Sequence, residues 1–217
     1  MAQVKNTFVK NAYFPTLVFQ ITIADPDEMN RHLLELIYKD RENDRDGINR
    51  SNVQALGGWH SEIQLHKSAK YKELVRNVNA ATAKISRKLE YAKNHALRIG
   101  SMWSIINPPG SMNIAHVHPG CMWSCVYYVQ TPKGSGNIEF IEPRTVHLMN
   151  QPKYENKGKR PKDCWTKVNF KPVAGKMIFF PAWLYHAVRA NETEETGDKG
   201  DRVIVSFNIS QHKKKSK

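Results

Sequence analysis

The stretch NIAHVHPGCMWSCVYYV, residues 113–129, decides how the rest of the chain is read. Side chains alternate along a strand, so a strand here sends His116 and His118 out of the same face. Neutral imidazole is a common ligand for Fe, Zn, Cu and Ni, and two such ligands need a third from elsewhere. His186 is the leading candidate, because it follows GKMIFFPAWLY, where one strand ends at a proline turn and the next begins. That crossing can bring a third imidazole opposite the first pair. A lone histidine in a strand is ordinarily a core or surface residue, and H-x-H alone is a weak motif. H-x-H within a β-rich segment, joined to a histidine after G-x5-P, is more specific. His32, His66, His95, His147 and His212 lack that pattern; His60, in GGWHS, stands out from them.

Working outward, residues 97–107, 113–118, 122–130, 137–142, 175–180, 186–190 and 202–209 read as short strands punctuated by Pro and Gly. Before them FPTLVFQITIA (14–24) reads as a strand, and DPDEMNRHLLELIYKDR opens a helix. Asp25 is placed as its N-cap and Pro26 at its first position, with Met29, Leu33, Leu36 and Ile37 on one face. A second helix is expected over about 69–93. Its stripe is Tyr71, Leu74, Val75, Val78, Ile85, Leu89 and Ala92, and the rest is crowded with Lys and Arg. Residues 143–172 form a Lys-rich insertion in which Trp165, Val168 and Phe170 begin a further strand; it reads equally as a lid or a solvated loop. The pattern is α+β, mainly β, with helices packed on one face of a small barrel or sandwich.

A chain of 217 residues suffices for one well-buried domain. We divide it into a single unit over 1–212, with an N-terminal strand and helices (8–95) and a β core (97–210), and a basic tail over 213–217. No 18-residue apolar run and no signal-peptide h-region is present. Cys121, Cys125 and Cys164 are an odd number without C-x-x-C, which points to a reducing cytoplasm and to packing roles. The 33 Lys and Arg exceed the 20 Asp and Glu by +13, and the tail KKKSK carries four of these charges. Excess base means a solvated surface or an anionic partner. No zinc-finger spacing, RNP-like pattern or helix-turn-helix accompanies it, which disfavours a specific nucleic-acid role.

Alternation along RVIVSFN places Arg202, Ile204, Ser206 and Asn208 on one face and Val203, Val205, Phe207 and Ile209 on the other. An arginine pointing into a barrel is costly unless it meets an anion, and its planar fork suits a carboxylate. The competing reading is a strand-end arginine snorkelling to water. One of Tyr127 and Tyr128 should face inward, where its hydroxyl can share that anion.

Taken together, GGWHS, INPPG, HVHPG, VYYV, EPR, FPAWLYH and RVIVSFN resemble the landmarks of iron(II)- and 2-oxoglutarate-dependent oxygenases, in particular a largely uncharacterised group related to prolyl hydroxylases. The resemblance spans residues 57–209. It implies a double-stranded β-helix of the jelly-roll or cupin-like kind, with Fe(II) held by His116 and His186 and the second motif position falling on His118. It implies that Arg202 pairs with the distal carboxylate of 2-oxoglutarate, that Tyr128 shares it, and that O2 is the cosubstrate. Trp59, His60 and Arg144 are taken as candidates for the substrate side, with Trp123 and Trp183 as further wall residues. The family's Arg-x-Ser pattern is not met, since Ile204 stands where the serine is expected; Ser206 is the candidate to replace it. His118 stands where the family carries a carboxylate. Either it ligates, leaving the iron centre at +2 and more attractive to an anionic cosubstrate, or it stands off and leaves a position open to water or halide. The H-x-H spacing favours the first.

The activity implied is hydroxylation of an unactivated C–H of a protein side chain or small molecule. The rivals are a cupin-type metalloenzyme without 2-oxoglutarate, a non-catalytic metal-binding module, and a basic nucleic-acid binder. Against the cupin reading, the Glu expected shortly after H-x-H is absent: Met122 and Trp123 stand there.

Overall fold

The structure, a computed structural model, describes residues 9–144, 149, 152–155 and 160–214. Two antiparallel sheets face each other. The larger contains β1 (Phe19–Thr22), β2 (Trp59–His60), β3 (His95–Asn107), β5 (Trp123–Gln130), β8 (Lys176–Pro181) and β10 (Arg202–Lys213), in the order β1-β8-β5-β10-β3-β2. The smaller contains β4 (Asn113–His116), β6 (Ile138–Ile141), β7 (Lys167–Phe170) and β9 (His186–Val188), in the order β4-β9-β6-β7. The chain passes between the sheets at β3–β4, β4–β5, β5–β6, β7–β8, β8–β9 and β9–β10, the winding of a double-stranded β-helix.

Period-two alternation in the large sheet separates two cores. On the outer side Tyr127, Met177, Phe179, Val203, Val205 and Phe207 pack against the helices α1 (Asp27–Asn43) and α3 (Lys72–Lys88). The α3 contribution is Leu74, Val78, Ala81 and Ile85, a stripe at spacings of three and four. Burying each large apolar side chain is worth roughly 1.5–3 kcal/mol. Between the sheets lies a smaller core of Val126, Tyr128, Ile138, Phe140, Ile178, Phe180, Leu184 and Ile204.

Several expectations shift in detail. Asp25 does not cap α1: it adopts φ +48, in the left-handed region, and the helix begins at Asp27 after Pro26. The left-handed turn redirects the chain before the proline, so its carboxylate is not aligned with the first turn. The second helix is shorter than expected. A 3-10 turn over Ala69–Tyr71 precedes α3, and Ala92 lies beyond its end. A short α2 (Asp46–Arg50) seats the indole of Trp59. A Cβ on Gly47 would come within 1.9 Å of that ring, so only glycine fits there. Cys125 is buried, whereas Cys121 and Cys164 are half-buried; all three are free thiols. In the insertion, β7 forms where Val168 and Phe170 suggested it, while 145–148, 150–151 and 156–159 lie outside the described residues, as do His147 and 215–217 of the tail. No helix among the described residues is long and apolar enough to cross a membrane.

The acidic loop ahead of β10 is fixed at several points. The Tyr38 hydroxyl donates to Asp201 (3.0 Å), Arg41 pairs with Asp198 (3.1 Å), and the Gln130 amide donates to the carbonyls of Asp198 and Asp201. These contacts set where Arg202 enters the sheet.

Candidate metal centre and carboxylate pocket

The three histidines converge. His116 ends β4 and pairs directly across the strands with His186, the first residue of β9. His118 lies two residues beyond the end of β4, not within it, because β4 breaks off at His116. Its backbone N–H donates to the Ala182 carbonyl (2.9 Å), which holds the imidazole over the same spot. One ligating nitrogen from each ring lies within 4.8 Å of the others.

Their tautomers follow from their partners. Nδ1 of His116 lies 2.8 Å from the Ile114 carbonyl and Nδ1 of His186 lies 3.0 Å from the Leu184 carbonyl. A carbonyl only accepts, so each Nδ1 carries the proton and each Nε2 presents a lone pair. The Asn208 carboxamide lies beside His118, whose ring stacks on Trp103 at 6.0 Å. The Nε2 atoms of His118 and His186 are 3.3 Å apart. Two nitrogens each about 2.1 Å from one ion, roughly 100° apart, would stand about 3.2 Å from each other. The observed spacing therefore suits a shared cation. Burial drives both rings toward the neutral, ligating form: His118 is pushed down to about 4 and His186 to about 3, with the neighbouring imidazoles adding to the effect.

The histidines form one wall of a cavity of about 230 Å³ between the sheets. Arg202, Tyr128, Ile204 and Ser206 line it, as the alternation along β10 predicts; Tyr127 instead faces the helices and donates to Asn30. Arg202 is 1 % exposed. Its Nη1 donates to the carbonyls of Ser135 and Arg189, while Nε and Nη2 have no partner among the described residues. No Asp or Glu among the described residues lines the cavity. Desolvation lowers the guanidinium to about 10, still charged at neutral pH. The Tyr128 phenol is pushed up by burial, so it remains a donor, and the Arg202 charge acts on it in the opposite direction. A buried cation without an anion is costly, and no carboxylate among the described residues that line this cavity offsets it.

Two of the expected substrate-side residues lie elsewhere. Trp59 pairs with Ile106 across β2 and β3, which turns its indole to the helix side. There it is fully buried and donates to the Asp44 carbonyl (2.9 Å). Arg144 is exposed and folds back on Glu142 at 2.8 and 2.9 Å, away from the cavity. Trp123 is a core residue on the helix side, and Trp183 is exposed. His60, one residue after Trp59, does line the cavity and stacks on Trp103 at 5.8 Å. Asn52, Trp103 and Asn113 complete the wall, and sequence reading gave them no role. Trp103 could have been found by carrying the period-two count back along β3, but Asn52 sits in a loop and carries no periodic signal.

Residues 101–208 match the profile of a family described as "Putative 2OG-Fe(II) oxygenase". The chain belongs to the iron(II)- and 2-oxoglutarate-dependent oxygenase family. Among solved structures it is similar to a Pseudomonas putida prolyl-4-hydroxylase, at 13 % identity and a TM-score of 0.59 over 93 % of this chain and 94 % of the other. It is also similar to the non-heme alpha-ketoglutarate-dependent epimerase SnoN from nogalamycin biosynthesis, at 14 % identity and a TM-score of 0.56 over 92 % and 79 %. HygX from Streptomyces hygroscopicus, with nickel and 2-oxoglutarate bound, shares 11 % identity with a TM-score of 0.50 over 90 % and 83 %. At these identities the likeness is one of fold. No curated protein sequence matches the chain. The oxygenase family takes Fe(II) and 2-oxoglutarate as cofactors, and the histidine cluster and the carboxylate pocket are of the chemistry those two groups require.

Proposed function

We propose that this protein is an Fe(II)- and 2-oxoglutarate-dependent hydroxylase acting on an unactivated C–H of a protein side chain or small molecule. One oxygenase domain accounts for the helices and the β core together. The observation that carries the reading is the buried Arg202. It is a permanent cation with two unpartnered nitrogens, Nε and Nη2, and no carboxylate among the described residues lining its cavity, which also holds three convergent imidazoles. A metal site alone, as in a cupin without 2-oxoglutarate, leaves that guanidinium without a counter-charge.

In this reading the Nε2 atoms of His116, His118 and His186 hold the iron, and Arg202 with Tyr128 holds the distal carboxylate of 2-oxoglutarate. Bound there, the two cofactors couple O2 to C–H oxidation, placing one oxygen atom in the product and the other in succinate, with CO2 released. The chain's own part is positioning and desolvation. The carbonyls of Ile114 and Leu184 fix two imidazoles in the ligating tautomer, and Asn208 and Trp103 hold the third. Three neutral ligands leave the full +2 on the iron, which strengthens its hold on an anionic cosubstrate and offsets the missing carboxylate ligand. His60 and Asn52, on the same cavity wall, face the space left for substrate.

The test is binding followed by turnover. The Mn(II)-loaded protein is expected to bind 2-oxoglutarate, and the Fe(II)-loaded protein in air to convert it to succinate. Failure of both overturns the assignment.

A further inference from the structure

Positive charge is concentrated at one end of the molecule. Residues 84–98 and 211–217 together carry nine Lys or Arg and one acid, Glu90, a net of +8 out of the +13 of the whole chain. The fold brings these two stretches together. After Ile209, β10 leaves β5 and runs on with β3 alone, in register from Ser210 opposite Arg98 to Lys213 opposite His95. The Lys214 N–H then donates to the Asn94 carbonyl (2.8 Å), and its ammonium donates to the Lys93 carbonyl (2.7 Å). Leu89 and Tyr91 seat the turn between α3 and β3 on the helix-side core, which ties the last turn of α3, with Arg87 and Lys88, to the same end. Lys84, Arg87, Lys88, Lys93, Arg98, Lys213 and Lys214 are all exposed, and none is ion-paired among the described residues. A helix C-terminus favours cations, which accounts for Arg87 and Lys88 but not for the others. Like charges gathered this way repel one another, and a partner of dense negative charge relieves that repulsion.

We propose that this tip is a docking surface for the phosphodiester backbone of a nucleic-acid strand, held without regard to base sequence. Three features favour that polyanion. Five of the seven exposed cations are lysines, point charges that meet phosphate without a fixed geometry, whereas a carboxylate surface is better met by the planar fork of arginine. Among the described residues, no exposed large apolar side chain lies in these two stretches, so the tip lacks the anchors of a membrane-surface element. Backbone contact also needs no base-reading motif, in keeping with the absence of zinc-finger, RNP-like and helix-turn-helix patterns from the sequence. The surface adjoins the histidine cluster. Asn208, beside His118, is five residues before Lys213 on β10, roughly 17 Å at about 3.4 Å per residue. A strand held on the tip is therefore held at the histidine end of the barrel. The inference stands apart from the function proposed above, since it draws on none of the cavity residues.

The experiment titrates the full chain into fluorescein-labelled oligouridine RNA and oligothymidine DNA, each of about 15 nucleotides, and into labelled polyglutamate of the same length, with anisotropy as the readout. Cosedimentation with phosphatidylserine–phosphatidylcholine vesicles is a further arm. At about 50 mM salt the nucleic acid is expected to bind more tightly than polyglutamate or vesicles, with log K falling linearly as log salt rises. A variant combining Lys88→Gln, Lys93→Gln, Arg98→Gln and Lys213→Gln should bind at least about tenfold more weakly. Its salt slope should be shallower by about 3, at roughly 0.7 for each single-strand phosphate contact removed. A control combining Lys39→Gln, Lys67→Gln, Lys70→Gln and Lys133→Gln removes the same charge from exposed positions elsewhere and should lose less than about threefold. All eight positions are exposed, so neither variant disturbs the core. Equal losses in the two variants would overturn the tip as the site. Absence of binding to both strands at about 50 mM salt, or polyglutamate or vesicles binding as tightly as the strands, would overturn the nucleic-acid partner. A preference between RNA and DNA identifies the strand and upholds the proposal.

Discussion

The two faces of β10 do different work with the same backbone. Val203, Val205, Phe207 and Ile209 are at 0 % exposure and form the seam between the sheet and the helices. Arg202, Ile204, Ser206 and Asn208, alternating with them, hold a charge, one apolar contact and two polar groups toward the cavity or the histidine cluster. The first set is interchangeable with any apolar set of the same volume and shape. The second is not, because each member is placed opposite a particular partner: Arg202 across from Asn107, and Asn208 against His118. Stability and function are thus separated by a one-residue step, and substitutions along one strand should fall into two classes.

The largest effect is expected on the packed side. Phe207→Ala deletes a ring at 0 % exposure in contact with the helix layer, which costs roughly 3–5 kcal/mol by loss of transfer energy and formation of a cavity. Urea unfolding of the metal-free protein measures it. A loss under about 1 kcal/mol would mean that the helices carry little of the fold's stability.

On the other face of the same strand, five residues earlier, the outcome should invert. Arg202→Ala removes an unpaired buried cation, a relief that works against the loss of its bonds to the Ser135 and Arg189 carbonyls, so stability changes less than in Phe207→Ala. Affinity for 2-oxoglutarate should instead fall by about 100-fold or more, since charge-assisted pairs are the strong ones. Metal affinity should hold. Unchanged 2-oxoglutarate affinity would remove Arg202 from the pocket.

This separation explains what could be read in the sequence. The alternation that splits β10 depends only on local chain geometry, and both of its faces were visible in RVIVSFN. The same count placed His116 on its strand and left Tyr127 and Tyr128 on opposite sides. It failed where position depends on pairing. Trp59 and His60 are adjacent in GGWHS, and nothing local says which turns to the cavity; the register of β2 on β3 decides that His60 does. Arg144 stands out in the EPR landmark, but it folds onto Glu142 two residues away, a contact of side-chain rotamers that has no periodicity. His118 joins the histidine cluster, but from beyond the strand that alternation assigned it to, since its position comes from the Ala182 carbonyl and not from β4.

The last comparison sets the histidine end of the cavity against the arginine end, and it is read in pH. In the metal-free protein burial holds His118 and His186 neutral far below the usual imidazole range. Once the chain unfolds, both rings bind protons near pH 6.5. Below that pH the unfolded state therefore binds more protons than the folded one, and the sign of linkage makes stability fall as pH falls. Above pH 6.5 these two groups contribute no slope. Between pH 6.5 and 5.5 the pair should cost about 2 kcal/mol, with the loss continuing toward about pH 4. Arg202 contributes nothing in this window, because it stays charged in both states. Urea unfolding at stepped pH, with chelator present, measures the slope. His118→Ala should roughly halve it and should also weaken Mn(II) binding by about 100-fold, since the same ring is both the buried base and a ligand. A variant that halves the slope yet binds metal as tightly as the wild type would place His118 in the cavity wall but off the ion, leaving His116 and His186 as the ligands.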